Sequence, residues 1–283
     1  MRIISSPVFQ LRDIIQTLLT SSSSSSCDLL TTLLTYGQSL GASSIHGYLV
    51  DRCHESETLT NEELSSCQGV ALCITYDSQL NEQQWEEIFG IHESNSIASK
   101  SASSSFHVTD FLCILSGSRV IYYDPNERAY VSIFDLEHDD IELLQNQFSP
   151  LDYFLMKSKT FYNGTLIRLP LRTTSNDQSS SQLQSVEEIK QQILRYFSSQ
   201  QLFMQFLLTQ TKIKNIEFDH TKDFQMFTRF FSLEKQSLSM IEDTQSTTQV
   251  LQVNISKLID EVNHRFVSSF HMFREKKRAN LTF

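Results

Sequence analysis

The chain has 283 residues with 23 basic and 33 acidic side chains, a formal charge of −10, and a surface so acidic repels phosphate backbones and argues against nucleic-acid binding. No stretch supplies the ~20 apolar residues that cross a bilayer, and the opening "MRIISSPVFQLRD" breaks at Pro7 and then at charges, unlike a secretory signal. With 40% hydrophobic residues the chain can bury one large core or two small ones.

Five cysteines, at 27, 53, 67, 73 and 113, form an odd set with no C-x-x-C pair, which points to reduced thiols and a cytoplasmic setting. Cys53-His54 with Cys67 and Cys73 fits no standard zinc spacing, so no metal is expected. In such a compartment the sequons at Asn163, Asn254 and Asn280 have no glycosylation to serve.

In chain order, "VFQLRDIIQTLLT" (8–20) has the apolar spacing of an amphipathic helix, and the serine run 21–26 is a linker or cap. A second helix, "LLTTLLTYGQSLGA" (29–42), is stopped by Gly41. Its stripe of Leu29, Leu30, Leu33, Leu34 and Leu40 faces a core, while Thr32, Tyr36, Gln38 and Ser39 lie between. "SIHGYLVD" (44–51) and "GVALCITYD" (69–77) read as strands, and "NEQQWEEIFGI" (81–91) as a short helix capped by Asn81. Trp85 and Phe89 lie four apart on it, a packing pair. After a low-complexity loop (94–105), "FLCILSG" and "SRVIYYDP" pair through Gly117-Ser118, and "RAYVSIFDL" follows.

"NGTLIRLPLR" (163–172) is a further strand whose Pro170 calls for an edge or a strand end. Helices "VEEIKQQILRYF" (186–197) and "QQLFMQFLLTQ" (200–210) come next, then antiparallel strands "KIKNIEFDH" and "FQMFTRFFSLE". The chain closes with an expected helix, "VNISKLIDEVNHRFVSSF" (253–270), and a solvated "REKKR" (274–278). The pattern predicts an α+β, two-layer sandwich: a largely antiparallel mixed sheet backed by helices. The expected division is a domain over 1–245 and a C-terminal helix with basic tail over 246–283.

The order of "FHVTDFLCILSGSRVIYYDP", "NQFSPLDYF", "FYNGTLIRLPLR" and "SVEEIKQQI" resembles the sacsin repeat module and, through it, the Bergerat-fold (GHKL-type) ATPase domain of the large heat-shock chaperone. The resemblance extends over residues 8–235. It implies a nucleotide pocket that has lost its chemistry. Aligned on Gly41-Ala42, the family's catalytic glutamate falls on Thr32 and its magnesium-binding asparagine on Tyr36, while its two aspartates fall on Gln38 and Ser39. The glycine-rich phosphate loop aligns with "KSASSSFHVTD", which has no glycine. The purine-binding aspartate is retained as Asp77, although Tyr76 replaces the asparagine before it, and Gly164 and Thr165 keep the adenine-side strand.

Without the resemblance, Asp77 is a turn residue, Thr165 a β-branched strand residue, Gly164 a turn glycine, and His107 and Asp110 part of a structural turn. The reading is a catalytically inactive, chaperone-related module that binds proteins, chaperones or clients, as a scaffold and needs no cofactor. The alternative is a weak ATP- or ADP-binding domain that changes shape with nucleotide. A third is a plain interaction fragment. No oligomeric state follows from these residues.

Overall fold

The computed structural model describes residues 2–4, 26–60, 62–89, 105, 109, 111–123, 131–139, 142–155, 160–171, 185–198, 212–243, 246–258 and 265–275. The helices expected over 8–20 and 200–210, most of the serine-rich stretches, His107, Asp110 and residues 276–278 lie outside them.

Among the described residues, eleven strands form one sheet: β1 (Arg2–Ile4), β2 (Ser44–Val50), β3 (Ala71–Tyr76), β4 (Leu112–Gly117), β5 (Arg119–Tyr123), β6 (Val131–Asp135), β7 (Tyr162–Pro170), β8 (Asn215–Thr221), β9 (Phe227–Asp243), β10 (Ser246–Leu258) and β11 (Arg265–Glu275). Their order is β1-β6-β5-β4-β7-β3-β2-β8-β9-β10-β11. Every neighbouring pair is antiparallel except β2 and β8. β7 is a central strand, and Pro170 is its last residue, so the proline marks a strand end.

Among the described residues, three helices of eight residues or more back one face: α1 (Ser26–Ser39), α2 (Glu82–Phe89) and α3 (Val186–Ser198). α1 buries the predicted leucine stripe, and Gly41 sits at φ +75°, the left-handed position that glycine fills at least cost. α2 opens with a reciprocal cap: Gln84 N–H donates to Asn81 Oδ1, and Asn81 N–H donates to Gln84 Oε1, both at 2.9 Å. Ser185 and Glu188 cap α3 in the same way, and Ile189, Ile193, Tyr196 and Phe197 turn inward at helical spacing. These side chains pack on Ile45, Leu72, Ile74, Ile114, Ile167 and Phe218 of the sheet. At about 1.5–3 kcal/mol per buried large apolar side chain, this layer supplies most of the driving force.

The opposite face is covered too, which the two-layer pattern alone does not foretell. A run of short helical turns over 142–155 lays Phe148, Leu151 and Leu155 on Cys113, Leu115, Tyr122 and Phe134, and Leu64 adds to the same cluster. Gln147 pins the cover, its Oε1 accepting from both Thr60 N–H and Thr60 Oγ1, each at 2.9 Å. Both faces being dry explains why all six residues of β3 are buried.

The expected C-terminal helix is corrected. Residues 246–258 and 265–275 are strands β10 and β11, paired in register from Thr248–Glu275 to Leu258–Arg265. Leu251, Val253 and Ile255 alternate with Gln252, Asn254 and Ser256, a period of two rather than 3.6. β9 offers its edge to that alternation, and the sheet extends instead of being capped.

The parallel β2–β8 pairing depends on Gly47, which stands opposite Phe218. A Cβ at Gly47 would overlap the Phe218 ring and meet Ile74 Cδ1 at 3.2 Å. Gly47→Ala is therefore expected to lose about 1–3 kcal/mol, seen as a lower urea midpoint at unchanged slope.

Candidate functional site

The residues singled out in the sequence converge where α1 ends beside the last residues of β3 and the start of β7. Tyr36 is 2% exposed and lies edge-on to Tyr76, ring centroids 5.8 Å apart at 89°. Tyr76 donates its hydroxyl to the Leu33 carbonyl at 3.0 Å, whereas the buried Tyr36 hydroxyl has no hydrogen-bond partner among the described residues. Burial first, and then the charge of Glu87, push the Tyr36 phenol well above its ordinary range. Thr32 sits one turn earlier on α1, half-buried.

Asp77 follows β3, exposed, with its carboxylate already engaged. Oδ1 accepts from Ser43 N–H at 2.8 Å and Ser44 N–H at 3.1 Å, and Oδ2 accepts from the Ser43 hydroxyl at 2.6 Å. The aspartate thus ties the end of β3 to the α1–β2 connection. Thr165 is fully buried and pairs with Tyr76; its Oγ1 donates to the Ser78 carbonyl at 2.7 Å and lies 3.1 Å from Ser116 Oγ. Gly164 permits the close approach of β7, since a Cβ there would stand 2.5 Å from the Tyr76 carbonyl oxygen.

A second constellation, on the face away from the helices, escapes sequence reading. The registers place His46, Tyr48, Glu217, Asp219 and Arg229 on one patch of β2, β8 and β9. His46 Nε2 lies 2.7 Å from Asp219 Oδ2, and Tyr48 Oη lies 2.9 Å from His46 Nδ1. A carboxylate only accepts, so Nε2 carries a proton, and in the neutral ring Nδ1 accepts from the tyrosine. Arg229 donates to Asp219 at 3.0 and 3.2 Å and to Glu217 Oε1 at 2.7 Å. Burial would push Asp219 up, but the hydrogen bonds from His46 and Arg229 outweigh it and hold the carboxyl below its ordinary value. The available signal was the pair of i, i+2 polar residues, His-x-Tyr in β2 and Glu-x-Asp in β8, each placing two polar groups on one face of its strand.

On the same face the buried Arg168 stands cross-strand from Cys73 and Cys113 and donates to the Gly69 carbonyl at 3.0 Å. Burial pushes both thiols up to about 12, so neither is a nucleophile at neutral pH. For metals, Asp135, Glu137 and His138 bring ligand atoms within 4.8 Å of one another. Both Asp135 oxygens are already occupied, however, one by Glu137 N–H and the other facing His138 Nδ1, each at 3.1 Å. Among the described residues, no helix is long and apolar enough to cross a membrane.

The chain is similar to known proteins along most of this architecture. Human sacsin is 27% identical over 191 residues, a stretch covering 60% of this chain and 4% of the human protein, so the chain spans a small fraction of that relative's length. Among solved structures, the N-terminal domain of a DNA repair protein covers 90% of this chain and 74% of its own at 8% identity. Its TM-score of 0.34 does not establish a shared fold. The sacsin domain profile matches residues 9–229, which include α1, the Tyr36–Tyr76 contact, Asp77 and Thr165. The chain belongs to the sacsin domain family.

Proposed function

We propose that this sacsin domain is a catalytically inactive, chaperone-related module that binds other proteins as a scaffold in the cytoplasm. The observation that carries the reading is Tyr36, buried edge-on to Tyr76 at the position where the Bergerat resemblance sets the magnesium ligand. A phenol held in its neutral form is a poor partner for a hard cation that demands octahedral oxygen donors. Thr32, at the general-base position, forgoes a term of roughly 10²–10⁴ in rate. Asp77, the surviving purine contact of that alignment, spends both oxygens on Ser43 and Ser44. An adenine amino group would have to displace those bonds for a return of about 1.5–3 kcal/mol. The free, exposed Cys53 and the free, buried Cys73 and Cys113 suit a reducing compartment.

A weak nucleotide-binding reading has one observation in its favour: Asp77 remains exposed beside Thr165-bonded Ser78. Thermal unfolding with ADP or ATP, with and without magnesium, separates the two. A ligand at 100 times its Kd adds about 2.7 kcal/mol. No change in Tm at millimolar nucleotide is expected; a rise of several degrees sinks the inactive-pocket reading and makes Asp77→Asn the next variant.

A further inference from the structure

The turn between β8 and β9 is strained in order to present an apolar tip. Phe224 sits at φ +59°, a left-handed conformation costly for an aromatic residue. Thr221 Oγ1 accepts from Phe224 N–H, and Asp223 Oδ1 accepts from Gln225 N–H, each at 2.9 Å, and these bonds hold the turn. The result stacks Phe224 on Tyr153 at 4.3 Å and leaves Met226 80% and Phe227 39% exposed. Two residues along the same face of β9, Arg229 meets two carboxylates, so the patch carries more negative than positive formal charge. Glu217, its side chain 32% exposed, spends Oε1 on Arg229. Its Oε2 has His46 Nδ1 at 3.9 Å, and that nitrogen already faces Tyr48.

We propose that this face docks a basic segment of a partner protein, an arginine adjoining an apolar residue. The guanidinium bonds Glu217 Oε2, while the apolar neighbour covers Phe227 and Met226. A second copy of this chain, at a net charge of −10, is the poorer occupant. The proposal rests on the protein-binding reading above and gives that partner its chemistry.

The test labels the methionine methyls of the full chain with ¹³C, assigns Met226 among the six methionines by Met226→Leu, and titrates acetyl-Leu-Arg-Leu-Arg-Leu-amide. A saturable shift of the Met226 resonance is expected, with the glutamine-for-arginine peptide silent. Glu217→Gln keeps an acceptor for Arg229 while removing the charge, and is expected to weaken binding about fivefold. Met226→Ser, at an exposed position, is expected to weaken it without unfolding the domain, the signal then being read from intrinsic fluorescence. Equal binding of both peptides overturns the basic-partner assignment while leaving protein binding intact, and binding of neither overturns this face as a docking site. Failure of the inactive-pocket reading would show separately, in the nucleotide titration.

Discussion

Replacing Tyr36 by alanine is expected to lower the unfolding free energy by about 3–5 kcal/mol, whereas phenylalanine is expected to raise it by about 1 kcal/mol. The ring fills the space between α1 and β3, meeting Tyr76 edge-on, and its removal leaves a cavity that Gly37 cannot fill. Collapse of α1 is limited, because Tyr76 is held by the Leu33 carbonyl and Leu40 by the Ser78 hydroxyl at 2.7 Å. The hydroxyl tells the opposite story. It is buried without a partner among the described residues, and such a group costs about 1–3 kcal/mol of desolvation with nothing returned. Differential scanning calorimetry of the two variants reads both effects, at about 2–4 °C per kcal/mol for a chain of this class. A destabilised phenylalanine variant would mean that the hydroxyl has a bound partner, and the ring would then be part of a site rather than a plug. Neither variant is expected to gain ATP hydrolysis, since Thr32 still lacks a carboxylate.

What the sequence made legible follows from how locally each feature is encoded. The leucine stripe of α1 ended by Gly41, the Asn81 cap, and the strands flanking Gly117 are all written within a few residues and are legible there, whereas the Ser185–Glu188 cap emerges from the structure. The β10–β11 hairpin was not read, because an alternation of two was taken for a helical stripe. Its correct reading depends on a free edge of β9 that no local pattern announces. The site divides the same way. Tyr36 could be placed by alignment to a motif, but the His46–Asp219 bond spans 173 residues and exists only because β2 and β8 run parallel. Likewise Asp77 is a ligand-facing acid only through the family resemblance and a turn residue without it, and its engagement with Ser43 and Ser44 is visible only once the α1–β2 connection folds back over β3.

Asp219→Ala is expected to cost about 2–3 kcal/mol and to remove part of the acid sensitivity of the fold. Removing one member of a buried, hydrogen-bonded charge pair commonly costs about 3–5 kcal/mol, because the partner is stranded in a low-dielectric site. Here the Asp219 side chain is 4% exposed, but Arg229 is 38% and His46 23% exposed. Both partners can recover water, which places the loss below that range. The pH dependence has a definite direction. The folded carboxyl is held below the unfolded value of about 3.9, so its contribution is fully present above that pH and is lost as pH falls through the folded pKa. Wild-type stability should therefore fall as the pH drops below about 4, and Asp219→Ala should show a shallower fall over that interval. Arg229→Met alone and in combination completes a cycle whose coupling energy measures the pair itself. A coupling near zero would mean that Asp219 works through His46 and Tyr48 instead. The parallel β2–β8 seam would then be held by the Tyr48–His46–Asp219 chain, with Arg229 left to organise Glu217 at the edge of the patch.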